Sequence, residues 1–597
     1  MGASAALEVL FHSKPSPAIP HFQRLSKCLG IVCESADVAK VGLSVSVEQE
    51  IAANKRSAIV LDVDSLQHQF DQHQFAELKA SLAQREVAVL LLASKRGETV
   101  NRFLQALTNH TVRGVESAGR AERVSFPNES KALSQELAGH SFAREPDETL
   151  CLSIASAEKV EIIMTLDQAP VFVRVHGGSV SVFVWITDAV FDVFRPLAAE
   201  KEFELAADKY IPAIIFLRFV FGEQCWHNPR LGAGILIDDP LLQKNYGFIN
   251  FPQLLKSARR HRYHVTLAFI PWNYWRSRAT ETRMFLDHAD CFSVCAHGCD
   301  HTKKEFEAAD YEDLLSRNFV ASRRMARLRE RTGLVSEPLM VCPQEKYSLE
   351  AMRAFSDSRQ FLGVVCTACM PRNLAAPGIC GADLLLPAQD SFFGFPVFKR
   401  HYWNDMSVFA MALFLGKPAI LVEHHEFFRG GPGRAEVFVS ELAKVSPNIN
   451  WTSLTETAER THLRRRLPDG RHEVRFFTDD FKLEHGNEMP TEYRMVRRIS
   501  ATALVQRVTM DGVEIPFVQK DGWLTFEVRV GSPLTFRIHI EVRPIQPTKV
   551  YSPGIKYHVS VIFRRGLSEI RDNIIARNAF FLRIAKSLAK AMKHSSE

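Results

Sequence analysis

The sequence predicts a mixed α/β protein with a distorted (β/α) barrel over residues 226–466. An open α/β domain over 1–225 precedes the barrel, and a small β-sandwich over 467–545 and a basic tail over 546–597 follow it. Two observations carry this reading. Between residues 234 and 425 six apolar runs alternate with amphipathic helical stretches, and repeated strand–helix units on that scale build a barrel. After residue 467 the helical period stops and short alternating runs take over, punctuated by Asp511-Gly512 and Asp521-Gly522 turns. A chain of 597 residues also asks for several cores, since domains run to about 100–200 residues.

In the first domain EVLFH (8–12), AIVLDV (58–63) and VAVLLLA (87–93) read as strands. The last is apolar throughout, as a strand buried on both faces is. QFAELKASLAQ (74–84) and ETVNRFLQAL (98–107) have helical period, so the order is that of a parallel sheet, flavodoxin-like or glutamine-amidotransferase-like in topology. The runs around Gly177-Gly178 (171–186) read as a hairpin. In the barrel the expected strands are 234–239, 265–271, 291–298, 339–344, 361–367 and 419–425, and the clearest helices are 251–262 and 310–332. In the tail a helix is expected over about 567–593, with Leu567, Ile570, Ile574, Phe581, Ala585, Leu588 and Met592 on one face and basic residues on the others.

Composition excludes some classes. A net charge of +6 spread over 74 basic and 68 acidic residues gives no argument for a nucleic-acid partner. The 11 cysteines have no framework spacing and sit mainly in apolar runs, which favours a reducing compartment. The start, MGASAALEVLFH, is unlike a secretory signal. The best apolar runs, 179–194 and 211–222, are shorter than the roughly 18–20 residues a spanning helix needs. A cytoplasmic location is therefore expected. The tail helix is the candidate for peripheral contact with an anionic membrane, against the plainer reading that it packs on the β-sandwich.

Three polar groups lie at the C-terminal ends of apolar runs, where barrels and open sheets collect their chemistry. Ile235-Leu236-Ile237-Asp238-Asp239-Pro240 delivers two carboxylates on diverging directions, one able to bind a cation and the other to accept a proton. The rival reading is a helix N-cap. His297-Gly298-Cys299-Asp300-His301 sets two imidazoles four residues apart, able to converge on zinc or another first-row metal if the segment turns as a helix does. A rival zinc site would use Cys291, Cys295 and Cys299, but their spacing matches no common zinc knuckle. Val422-Glu423-His424-His425 brings imidazole to a third strand end; alternation admits one of the two, His424 first and His425 as the alternate.

Together these motifs, over about 231–428, resemble the NodB-type polysaccharide deacetylases. The resemblance implies a divalent metal, zinc first, held by Asp239, His297 and His301, with Asp238 as catalytic base and His424 as general acid. It also implies hydrolysis of an acetyl group, N-acetyl ahead of O-acetyl, on a glycan or sugar precursor. The sequence departs from the family pattern: Leu236-Ile237 stands for Thr-Phe, Pro240 for Gly, Gly298 for Ser or Thr, and Met340-Val341-Cys342-Pro343-Gln344 for the Arg-x-x-Pro segment. Trp272, Asn273 and Gln344, at neighbouring strand ends, are the candidates to line a substrate pocket. The competing reading is a non-catalytic glycan-binding or scaffold module of a polysaccharide-producing system.

Overall fold

The computed structural model describes residues 6–11, 18–37, 57–66, 87–176, 180–307, 310–371, 378–486 and 488–578. Seven parallel strands form the central barrel: β1 (Gly232–Asp238), β2 (Val265–Phe269), β3 (Phe292–His297), β4 (Glu337–Val341), β5 (Gly363–Cys366), β6 (Val397–His401) and β7 (Ala419–Glu423). Each pairs with the next, and β1 pairs with both β2 and β7, which closes the ring. Six of these strands match the expected runs. The seventh, β6, did not stand out in sequence because VFKRH carries three basic side chains in five positions.

The pleat sorts side chains into two layers. Leu236, Cys295, Phe398, Ile420 and Val422 point into the barrel and share one buried cluster. Their neighbours Ile235, Ile237, Val294 and Leu421 point outward into a second cluster beneath the helices. The two clearest helices form where their end signals predict. Phe251–His261 is capped by the Asn250 side chain, which accepts from the Gln253 N–H at 3.0 Å, and it stops at Arg262 in the left-handed region. Tyr311–Thr332 starts on Asp310, which accepts from the Asp313 N–H, and ends at Gly333.

The N-terminal sheet has nine strands. Strands 32–37, 6–11, 57–62, 87–93 and 181–186 lie side by side in that order and all run parallel. The sheet then continues with antiparallel strands 169–175, 160–166, 112–125 and 141–154, an extension that the strand–helix reading did not include. The expected hairpin exists as the pair 169–175 and 181–186; its Gly177-Gly178 turn lies outside the described residues, as does the expected helix at 74–84. Helix Ile211–Phe221 is buried on nearly every side, and one continuous apolar core runs from the N-terminal sheet through it to the outside of the barrel.

The β-sandwich pairs a five-stranded sheet with a four-stranded one around its own core of Val474, Phe476, Phe481, Met495, Phe526, Phe536 and Ile538. Its first strand is His462–Arg466, so the sandwich starts a few residues before the expected 467. In the tail a helix spans Ile555–Ile570 and continues as one π-helical turn over Arg571–Ile575. It begins well ahead of the expected 567, and Leu567, Ile570 and Ile574 are exposed. Phe581, Ala585, Leu588 and Met592 lie outside the described residues. The helix packs across the mouth of the barrel, where its contacts with the loops after β2 and β3 are made, and not on the sandwich. Among the described residues no helix is long and apolar enough to cross a membrane.

Candidate metal centre at the mouth of the barrel

Alternation decides which side chains reach the interior at the strand ends. Asp238 follows Leu236 inward, His297 follows Cys295, Arg400 follows Phe398 and His424 follows Val422. Asp239 would point away from them in a continued strand. Its φ of 78° takes the chain into the left-handed region and returns its carboxylate to the same side. The capping alternative for the Asp pair fails, because the next helix starts only at Phe251.

His297 and His301 do converge, but not through a helical turn. After β3 ends at His297 the chain turns at Gly298, with φ 65°, and again at His301, with φ 55°. Gly298 is required on two counts. Its φ favours glycine, and a Cβ there would lie 2.3 Å from Glu305 Oε2 and 2.5 Å from Pro343 Cγ. The Glu305 carboxylate underneath accepts from the backbone N–H groups of Cys299 (3.2 Å), Asp300 (2.6 Å) and His301 (3.0 Å). Burial pushes the Glu305 carboxyl up to about 7, with the neighbouring Asp300 charge adding to the shift.

His301 Nε2 lies 3.2 Å from Asp239 Oδ1, and His297 Nε2 lies 3.8 Å from the same oxygen. The ligand atoms of Asp239, His297 and His301 fall within 4.8 Å of one another. Asp239 Oδ1 is buried with no hydrogen-bond partner among the described residues. His297 Nδ1 lies 3.1 Å from the Val341 carbonyl; donation there puts the proton on Nδ1 and leaves the Nε2 lone pair facing the carboxylates. Burial lowers the pKa of both imidazoles against the pull of the carboxylates, that of His301 to about 3. Neutral imidazoles and an orphaned carboxylate oxygen aimed at one point are a donor set that fits a divalent cation.

Asp238 is held differently. Its Oδ1 accepts from Arg400 Nη1 at 2.8 Å, and both side chains are almost wholly buried. Its Oδ2 sits 3.9 Å from His297 Nε2. Burial opposes the charge on Asp238, yet Arg400, then His297 and His424, hold its carboxyl below the ordinary range. His424 is half-buried at the rim, with its ring parallel to Tyr402 at 6.3 Å. His425 points out of the barrel: its Nε2 lies 3.3 Å from Asp572 Oδ1, and its ring packs on Tyr246 and Phe248. The alternate acid is thereby removed from the cluster by the pleat.

The pocket candidates scatter. Trp272 takes the Arg324 guanidinium at 5.1 Å and stacks on His558 of the tail at 5.6 Å, so the tail helix covers it. Asn273 is buried, and its side-chain oxygen accepts from Arg276 Nη1 at 3.4 Å. These two read as packing residues. Gln344 is exposed, at φ 57°, just after β4. The three cysteines do not converge: Cys295 lies in the barrel core, Cys291 at the foot of β3, and Cys299 beside Arg324, whose guanidinium lies 3.1 Å from its sulfur and 2.6 Å from Asp300.

Sequence reasoning missed Arg400, Tyr402 and the tail. Arg400 and Tyr402 come from and just after the unrecognised β6. The gap from 367 to 419 was a signal for it, being long enough for one more strand–helix unit. Arg565 arrives from the tail helix: its Nη2 lies 3.1 Å from His301 Nδ1 and 3.3 Å from the His301 carbonyl oxygen.

No family model matches the chain, and no curated protein matches it in sequence. Solved structures do. Agd3, described as a novel carbohydrate deacetylase, aligns with 91% of this chain and 100% of its own, at 10% identity and a TM-score of 0.43. A family 4 carbohydrate esterase from Streptomyces lividans, in complex with acetate, aligns with 37% of this chain and 90% of its own, at 14% identity and 0.23. A family 4 acetyl xylan esterase from Clostridium thermocellum, in complex with a cobalt ion, aligns with 38% and 89%, at 12% identity and 0.24. These three neighbours are described as carbohydrate deacetylases and esterases. That is the group the sequence motifs resemble. At these identities and scores the likeness carries no chemistry to this chain, and the function rests on its own side chains.

Proposed function

We propose that this protein is a metal-dependent hydrolase that removes acetyl groups, N-acetyl ahead of O-acetyl, from a glycan or sugar precursor. One observation carries the reading. At the barrel mouth a convergent Asp239–His297–His301 donor set lies beside a second carboxylate, Asp238, that Arg400 holds charged. A divalent cation, zinc first, would be held by Asp239, His297 and His301, and would supply Lewis-acid polarisation of the acyl carbonyl and of water.

The chain's own groups divide the remaining work. Arg400 occupies Asp238 Oδ1 and leaves Oδ2 as the oxygen free to take a proton from the attacking water. Because Arg400 also keeps Asp238 ionised, the base is in its working form at neutral pH. His297 is oriented by its Nδ1 contact with the Val341 carbonyl. His424, at the rim and stacked on Tyr402, is the group positioned to give a proton to the departing amine or alkoxide.

The test is acetate release from N-acetylated and O-acetylated oligosaccharides, read together with bound metal by elemental analysis. Asp238→Asn is expected to keep the metal and lose turnover by about 10²–10⁴-fold. Asp239→Ala is expected to lose the metal. Wild-type protein that holds no divalent ion after growth and purification without chelators, or acetate release unchanged in Asp238→Asn, would overturn the proposal.

A further inference from the structure

The helix that covers the barrel mouth has two faces. Inward it carries Tyr557, Val561, Arg565 and Glu569, and Asp572 follows in the π turn. Tyr557 donates to Asp300 at 2.9 Å, Glu569 accepts two bonds from Arg276, and Asp572 accepts from Tyr246 at 3.0 Å. The inner face is thus fully engaged, and it fixes the outer one. Outward stand Ile555, Val559, Ile562, Phe563, Leu567 and Ile570, each 47–82% exposed. Their spacing at three and four residues makes one stripe along the helix.

The charges around the stripe are of one sign. Lys556 and Arg577 are exposed beside it and Arg564 is half-exposed; Arg571 is also exposed but donates to Asp572, and the only two acids of the segment, Glu569 and Asp572, are turned inward and paired. Residues 579–597 carry Arg583, Lys586, Lys590 and Lys593 against one acid, Glu597. Like charge therefore opposes coverage of the stripe by that segment, and equally by the same face of a second copy. An apolar stripe flanked only by cations is complementary to an anionic lipid surface.

We propose that the outer face of helix Ile555–Ile570 docks on anionic membrane surfaces, with the stripe in the acyl boundary and Lys556, Arg564 and Arg577 on lipid headgroups. This goes beyond acetyl hydrolysis and does not depend on it. The docked helix would hold the mouth of the barrel at a fixed distance from the bilayer.

The test is co-sedimentation of the full-length protein with phosphatidylcholine vesicles, with and without phosphatidylglycerol. Binding is expected only with the anionic lipid. Each basic residue at such a surface is worth about fivefold in partitioning, so the double change Lys556→Glu, Arg577→Glu should weaken binding at least tenfold. Ile562→Ser with Phe563→Ser should weaken it as strongly. All four positions are solvent-facing, and unchanged melting curves verify that the fold is intact. Equal sedimentation with and without phosphatidylglycerol overturns the proposal. So does anionic binding that survives both double variants. A wild-type dimer in solution that Ile562→Ser, Phe563→Ser turns into monomer also overturns it, in favour of self-association.

Discussion

When one member of a buried ion pair is removed, the other charge is left stranded, and the loss is about 3–5 kcal/mol. Arg400 and Asp238 are such a pair, 1% and 4% exposed. Arg400→Met should therefore lower the unfolding free energy measured by chemical denaturation by an amount in that range. Asp238→Asn should be milder, since an amide oxygen still accepts from the guanidinium. Equal, small losses in both would show that the pair is not what sustains this part of the core. Gly298 is the other decisive residue. Gly298→Ala forces a Cβ into Glu305 and Pro343 at a φ that opposes it, and it should weaken metal binding about tenfold or more by displacing His297 and His301. At this scale much was legible. Two carboxylates after an apolar run and two imidazoles four apart pointed to a metal. The route by which they meet was not legible, because His-x-x-x-His spacing suggests a helical turn, while left-handed φ at Asp239, Gly298 and His301 is a property of the folded loop.

Among the elements, β6 and the tail helix change the site most. Periodicity finds strands through their apolar faces, and β6 spends its inward positions on Phe398 and Arg400, so the signal that marks a strand is diluted by the residue that matters. The tail was legible as amphipathic, but not as a cover for the barrel, because its inner face is polar. Tyr557, Arg565, Glu569 and Asp572 look solvent-exposed until their partners, more than 200 residues away in sequence, are known. Arg565 also constrains the centre. Its guanidinium can only donate, so the contact with His301 Nδ1 puts the imidazole proton on Nε2, the nitrogen that faces Asp239. Cation binding at Nε2 needs the other tautomer. Arg565→Ala should therefore raise affinity for zinc by about tenfold, equivalent to about 1.4 kcal/mol, in a competition titration against a chromophoric chelator. Unchanged or weaker affinity would mean that the arginine does not compete.

Across the whole molecule, two buried acids, Glu337 and Glu305, should together shape one stretch of the stability–pH curve. Glu337, on β4, is sealed in the lower barrel, where it accepts from Thr266, Ser293 and Thr455. Burial is the largest influence on it and carries its carboxyl from 4.5 up to about 7 despite those donors. Between these values the folded chain keeps the proton and the unfolded chain does not. Stability is then greatest below about pH 4.5 for this group and falls as pH rises to 7, by about 3 kcal/mol. Glu337→Gln should remove the Glu337 share of that slope and leave the Glu305 share in chemical denaturation curves measured across the window, and a slope equal to that of the wild type would show that Glu337 does not contribute. The three-part organisation was legible because helical and alternating periods segregate along the chain. The continuity of the core from the N-terminal sheet to the barrel was not, since both sides of that contact read simply as apolar.

The cover of the barrel mouth lies about 130 residues downstream of the last barrel strand, with the whole sandwich between them. At about 5–20 residues per second, a ribosome takes roughly 7–26 seconds to cross that stretch. Through that interval a completed barrel stands with His301 and Trp272 uncovered. The order of synthesis thus gives the nascent protein a period in which a cation can enter before Arg565 arrives. Refolding of the finished chain offers no such sequence of events, so protein refolded without metal should load more slowly than protein made in its presence.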